Sequence, residues 1–190
     1  MSDAHPPGAV PDGAVDPRAL ESQRRGGPRR SKLDSMSVAY FAYGANMAQA
    51  VMDDHCPGNV AVGIAELRQH RFAFSRRSVR TGTGVSDVVA DPARSVWGVL
   101  YEVEDLAALD AKEGAGWAYD RCDVTVFVDG RARDAITYKV TRPEPHPVAP
   151  SDEYIEGILD AARLRGLPGA YIEELLRAWA ESASSSRPPS

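Results

Sequence analysis

The sequence predicts an α+β domain with a β-rich centre and peripheral helices, and three observations carry that expectation. Between residues 37 and 140, short runs rich in Val, Ala, Phe and Tyr alternate with Gly, Pro and Asp punctuation, the pattern of strands and turns. After residue 151 the apolar residues move to helical spacing. At both ends of the chain no apolar period is sustained, so the ordered part is expected to lie between two tails.

Taken in order, residues 1–35 are rich in Pro, Gly, Asp and Arg and are expected to form a disordered arm. Its run of Arg24, Arg25, Arg29, Arg30 and Lys32 could touch an acidic partner, but reads most simply as a solvated tail. Met36 stands directly before the first strand and offers an alternative start. Residues 37–43 are apolar and partly aromatic and stop at Gly44, which predicts a buried strand entering a turn, with a helix beginning after Asn46. Further strands are expected at 61–74, 85–90, 95–103, 122–128 and 135–140, the last two joined by an Asp129-Gly130 hairpin turn. Glu104 or Asp105 can cap a short helix whose inner face carries Leu106 and Leu109 and which stops at Gly114. Ser151 caps a helix burying Tyr154, Ile155, Ile158, Leu159 and Ala162 up to Gly166. A last helix from Pro168 puts Tyr171, Leu175 and Trp179 on one side. The Ser and Pro of residues 182–190 predict a disordered tail, which leaves residues 36–181 as the single domain.

With 190 residues and 43% hydrophobic content, the chain can bury one core. A net charge of −5 speaks against a general nucleic-acid binder, which needs surplus Lys and Arg to neutralise phosphates. No apolar run is long enough to span a bilayer, and the N-terminus lacks the apolar centre of a secretory signal, so no membrane contact and a cytoplasmic address are expected. Cys56 and Cys122 are isolated and read as reduced thiols. With His5, His55, His70 and His146 scattered, no metal site is expected. No serine sits in a nucleophile elbow, and Thr81-Gly82-Thr83-Gly84 lacks the GK[ST] of a phosphate loop. Arg68, Arg71, Arg76, Arg77 and Arg80 form a basic stretch that could steer an anionic substrate.

Three places suggest chemistry. The turn Tyr43-Gly44-Ala45-Asn46 presents backbone N–H groups at a strand–helix junction, where a carboxylate can bind; equally, Gly44 could take a positive φ and Asn46 could cap the helix. Glu113 occupies the last turn of a short helix, where the negative end of the macrodipole favours the protonated acid and helices usually carry Lys or Arg. It suits a general base, or else is a solvated side chain paired with Lys112 or Arg121; Asp110 lies on a different helical face. Tyr154, three residues after the Ser151 cap, could offer its hydroxyl to a substrate or simply belong to the core.

The order Tyr40-Phe41-Ala42-Tyr43-Gly44-Ala45-Asn46-Met47, Val96-Trp97-Gly98-Val99-Leu100-Tyr101, Leu109-Asp110-Ala111-Lys112-Glu113-Gly114, Tyr119, Ala149-Pro150-Ser151 with Tyr154, and Gly166-Leu167-Pro168 with Tyr171 resembles the gamma-glutamylcyclotransferases. The resemblance implies a mixed, barrel-like β-sheet with peripheral helices, and an enzyme that cyclises a small gamma-glutamyl substrate to 5-oxoproline without a cofactor, as in glutathione metabolism. It implies Glu113 as catalytic acid/base, with Tyr43, Gly44, Ala45, Asn46, Tyr119 and Tyr154 binding substrate, and is compatible with a homodimer. Ala45 stands where the family's loop usually has Ser, which removes one side-chain hydrogen bond worth about 1 kcal/mol net. Activity on gamma-glutamylamines, deprotection of a biosynthetic intermediate, and a non-catalytic ligand- or protein-binding module are the other readings.

Overall fold

The computed structural model describes residues 37–185; the expected N-terminal arm lies outside them. Five strands, β1 (Val38–Ala42), β2 (Val60–Arg77), β3 (Gly84–Val103), β4 (Tyr119–Val128) and β5 (Arg131–Val140), close into a barrel in the order β1-β3-β2-β4-β5. All pairings are antiparallel except β1 with β5, which is parallel and makes the sheet mixed, as the resemblance implied. That seam carries one ladder pair, Tyr40 opposite Ile136. It is reinforced by side chains: the Thr137 hydroxyl donates to the Phe41 carbonyl at 2.8 Å, and the Tyr43 hydroxyl donates to the Tyr138 carbonyl at 2.6 Å.

The β2–β3 hairpin departs from the expectation of two strands at 85–90 and 95–103. β3 is one strand of 20 residues, and its partner β2 is also longer than expected. The register jumps from Arg68–Ser95 to His70–Ala90, so Asp91-Pro92-Ala93-Arg94 bulge opposite Gln69, itself at φ 59°. Proline cannot donate to a ladder, so it belongs in such a bulge; the punctuation marks an interruption in pairing rather than the end of a strand. Gly98 makes room for the end of β1 beside β3, because a Cβ there would lie 2.2 Å from the Ala42 carbonyl oxygen.

Phe41, Phe74, Val88, Val96, Leu100 and Tyr101 are fully buried in the core. Asp87 is buried among them. Its carboxylate accepts from the Ser75 hydroxyl at 2.6 Å and the backbone N–H groups of Val88 and Val140 at 2.8 and 3.0 Å, which ties β3 to β2 and β5.

Four helices surround the barrel: α1 (Gln49–His55), α2 (Ala107–Glu113), α3 (Asp152–Arg165) and α4 (Gly169–Ser185). A 3-10 turn, Ala45–Met47, precedes α1. α2 begins where Asp105 accepts from the Ala107 N–H at 2.8 Å, buries Leu106 and Leu109, and stops at Gly114 with φ 63°. Ser151 caps α3 by accepting from the Tyr154 N–H, and Gly166 ends it in the left-handed conformation. Ile155, Ile158 and Leu159 face inward, each contributing about 1.5–3 kcal/mol by leaving water. α3 is fastened to the 3-10 turn by Arg165, whose Nε donates to the Met47 carbonyl at 3.0 Å. α4 runs past the boundary expected at residue 181: Ser182 is buried, and its hydroxyl donates to the Trp179 carbonyl at 2.7 Å. Composition marks those serines as tail, but a hydroxyl that bonds back to its own helix tolerates burial.

Candidate active site

The strand–helix turn, the C-terminus of α2 and the first turn of α3 meet around a cavity of about 730 Å³. Tyr43, Gly44, Ala45, Asn46, Glu113, Tyr119 and Tyr154, all singled out from the sequence, line it together.

β1 ends at Ala42 because the chain turns at Gly44. Gly44 has φ −118°, so it is not a left-handed turn residue. It is required for space: a Cβ there would lie 2.4 Å from Ser86 Oγ and 3.8 Å from the Tyr154 hydroxyl. Among the described residues, the backbone N–H groups of Gly44, Ala45 and Asn46 meet no protein acceptor, while the Gly44 and Ala45 carbonyls take the first bonds of the 3-10 turn. Three consecutive donors at a cavity wall form a cradle suited to an anion.

Asn46 does not cap a helix. Buried to 5% exposure, its Nδ2 donates to the Tyr40 hydroxyl at 2.7 Å and to Glu113 Oε1 at 3.1 Å, while its Oδ1 accepts from Lys112 Nζ. Glu113 is therefore not a solvated surface acid; its side chain is 18% exposed and faces the cavity, with Lys112 Nζ 3.7 Å from Oε1. Arg121, the other suggested partner, instead forks onto Asp110, which also accepts from the Tyr138 hydroxyl. Asp110, three residues before Glu113 and so only about 60° away around the helix, is drawn off the cavity by these partners rather than by helical phase. Burial lowers the proton affinity of the Lys112 amine, and the neighbouring Glu113 opposes this.

The tyrosines play different parts. Tyr43 turns its hydroxyl to the Tyr138 carbonyl and gives the cavity its ring. Tyr119 donates to the Ser86 carbonyl at 2.8 Å, and the Tyr154 hydroxyl lies 2.9 Å from Ser86 Oγ. Burial raises the proton affinity of all three phenols and of Tyr40, so each stays a neutral hydroxyl.

Sequence reasoning missed Ser86, Tyr40 and Trp117 as lining residues, and named Lys112 only as a partner for Glu113 and Arg76 only within the basic stretch. A polar Ser86-Asp87 pair inside an otherwise apolar strand was the available signal. Trp117 lies against Gly114, and the Arg76 guanidinium sits 5.4 Å from its ring centroid. Of the basic stretch, Arg76 and Arg80 reach the cavity. Among the described residues, no three His, Cys, Asp or Glu side chains gather as metal ligands, and Cys56 and Cys122 are free thiols. No helix there is long and apolar enough to cross a membrane.

Residues 95–175, which carry Glu113 and Tyr154, match the AIG2-like family. Over 150 residues the chain is 29% identical to the gamma-glutamylcyclotransferase of Bos taurus, a stretch covering 75% of this chain and 79% of that protein. The Homo sapiens gamma-glutamylcyclotransferase matches at the same 29% identity over the same shares, 75% and 79%. The solved structure of a gamma-glutamyl cyclotransferase superposes with a TM-score of 0.69 at 27% identity, over 74% of this chain and 86% of the other. In its barrel, its turn and its sequence, the chain is similar to the AIG2-like family and to the gamma-glutamylcyclotransferases.

Proposed function

We propose that the protein is a cytoplasmic cyclotransferase that converts a gamma-glutamyl group to 5-oxoproline and releases the attached amine or amino acid, with Glu113 as the acid/base group. One observation carries this reading: Glu113 and the turn at residues 43–46 are far apart in sequence, yet both line one cavity and Glu113 Oε1 accepts from Asn46 Nδ2 at 3.1 Å. A base and an anion cradle side by side suit a substrate carrying an ammonium and a carboxylate on the same carbon.

In this mechanism the N–H groups of Gly44, Ala45 and Asn46 hold the glutamyl α-carboxylate. Glu113 takes a proton from the α-ammonium, and the freed lone pair attacks the γ-carbonyl carbon of the same molecule. The tetrahedral intermediate carries a negative charge on oxygen and a positive charge on the attacking nitrogen. Collapse breaks the bond to the departing nitrogen, which receives the proton from Glu113; the ring nitrogen gives up its second proton to leave the neutral lactam, the released amine takes that proton up, and Glu113 is again a carboxylate. Because nucleophile and electrophile are tethered, the enzyme supplies mainly a folded near-attack geometry and one well-placed proton carrier. Tyr154, held by Ser86, lines the same cavity close to Gly44.

Glu113→Gln removes the carrier and preserves the shape. It is expected to lower 5-oxoproline formation about 10²–10⁴-fold across a panel of gamma-glutamyl amino acids and gamma-glutamylamines, with substrate affinity retained. Turnover in the variant within a few-fold of the parent would refute the role of Glu113. Binding by the parent without turnover of any panel member would support a ligand-binding module.

A further inference from the structure

We propose that Lys112 is a positioning residue, whose ammonium fixes the side-chain amide of Asn46 so that its NH2 group faces Glu113 and Tyr40.

An asparagine amide can be flipped, and its direction is set by its partners. Lysine only donates and a carboxylate only accepts. Between Lys112 Nζ and Glu113 Oε1, which are 3.7 Å apart, Asn46 therefore has one satisfactory orientation: Oδ1 toward the ammonium, Nδ2 toward the carboxylate. The Tyr40 hydroxyl, 2.7 Å from Nδ2, then accepts, which leaves its own hydrogen directed to something other than Asn46. Tyr40 lines the cavity, so that hydrogen is available to a bound group. One cation thus sets the polarity of two donors around the reacting centre. Adjacent positions in the last turn of α2 make this possible, because Lys112 and Glu113 both reach the cavity while Leu109 anchors the helix in the core. Asn46 is buried, so water cannot readily replace a lost partner. Without Lys112, Oδ1 has no donor and only the bonds of Nδ2 to Glu113 and Tyr40 hold the amide, so it swings more freely and those bonds open more often.

The effect on turnover rests on the function proposed above, whereas the amide orientation does not, and the two are read separately. The side-chain NH2 protons of Asn46, assigned in ¹⁵N spectra by their loss in Asn46→Ala, are expected to exchange slowly with water in the parent. In Lys112→Met they should shift and exchange at least about tenfold faster. Lys112→Gln, which keeps an N–H donor, should restore most of the protection. In turnover, Lys112→Met should lower kcat about 10–100-fold with KM changed less than about twofold, as for loss of one charge-assisted hydrogen bond, and Lys112→Gln should recover most of it. Asn46→Asp keeps the shape but lacks the NH2 and should match Lys112→Met in kcat, so the comparison survives if the methionine variant does not fold. Unchanged Asn46 resonances in Lys112→Met, normal kcat in Asn46→Asp, or a rise in KM alone would each overturn the proposal. If the parent forms no 5-oxoproline from any substrate, the proposed function fails and the amide spectra alone decide the role of Lys112.

Discussion

Gly44→Ala tests whether the turn is shaped by crowding rather than by backbone freedom. Gly44 has a negative φ, so alanine meets no left-handed penalty. It does meet Ser86, because the new methyl would sit 2.4 Å from Oγ and 3.3 Å from Cβ. The overlap with Oγ is about 1 Å against an ordinary contact of roughly 3.4–4 Å. Ser86 must rotate away, which breaks its 2.9 Å bond to the Tyr154 hydroxyl. Losing that bond costs about 1 kcal/mol, and the crowding adds about 1–3 kcal/mol, so Gly44→Ala should lose roughly 2–4 kcal/mol. Ser86→Ala alone should lose only about 1 kcal/mol. In the double variant the oxygen that clashes is absent and the hydrogen bond is removed only once, so the two losses should fall short of additivity by about 1–2 kcal/mol. Urea unfolding of the parent and the three variants measures this directly. Additivity within about 0.5 kcal/mol, or a Gly44→Ala loss below that figure, would refute the crowding argument.

Two further outcomes are expected. Burial raises the proton affinity of Asp87 above the ordinary carboxylate value, against the opposing bonds from Ser75, Val140 and Val88, so its contribution to stability is full below the unfolded-state value and declines as pH rises through the folded one. Asp87→Asn should therefore gain stability relative to the parent as pH rises from about 4, whereas Asp87→Ala should lose about 2–4 kcal/mol at pH 4 and less as the parent weakens toward pH 8; thermal melts from pH 4 to 8 would reveal the opposite slope if the sign were wrong. At the rim, Arg76→Gln should lower kcat/KM a few-fold for an anionic substrate at low salt, and the difference should vanish near 0.5 M salt; a deficit independent of salt would point to packing against Trp117 instead.

Much of this could be read from local pattern. The turn at 43–46, the Gly114 stop beside Glu113 and the Ser151 cap that orients Tyr154 are short-range features whose chemistry is written in adjacent residues. What escaped depends on pairing at a distance. Asp91 and Pro92 look like the end of a strand, and only the opposing Gln69 reveals a bulge. Asn46 has the composition of a cap, yet its partners come from β1 and α2. Ser86 is one polar residue in a strand until the barrel brings Tyr154 against it. Trp117 lies in an exposed turn, and nothing nearby in sequence announces that Arg76 stacks against it. The closing contact between β1 and β5 had no local signal either.

That contact has a consequence for what the protein can tolerate. Where β1 meets β5, two hydroxyls stand in for missing rungs of backbone, and one of them belongs to the tyrosine that opens the turn. A change at Thr137 therefore loosens the barrel's closure, and a change at Tyr43 both loosens it and reshapes the wall of the cavity.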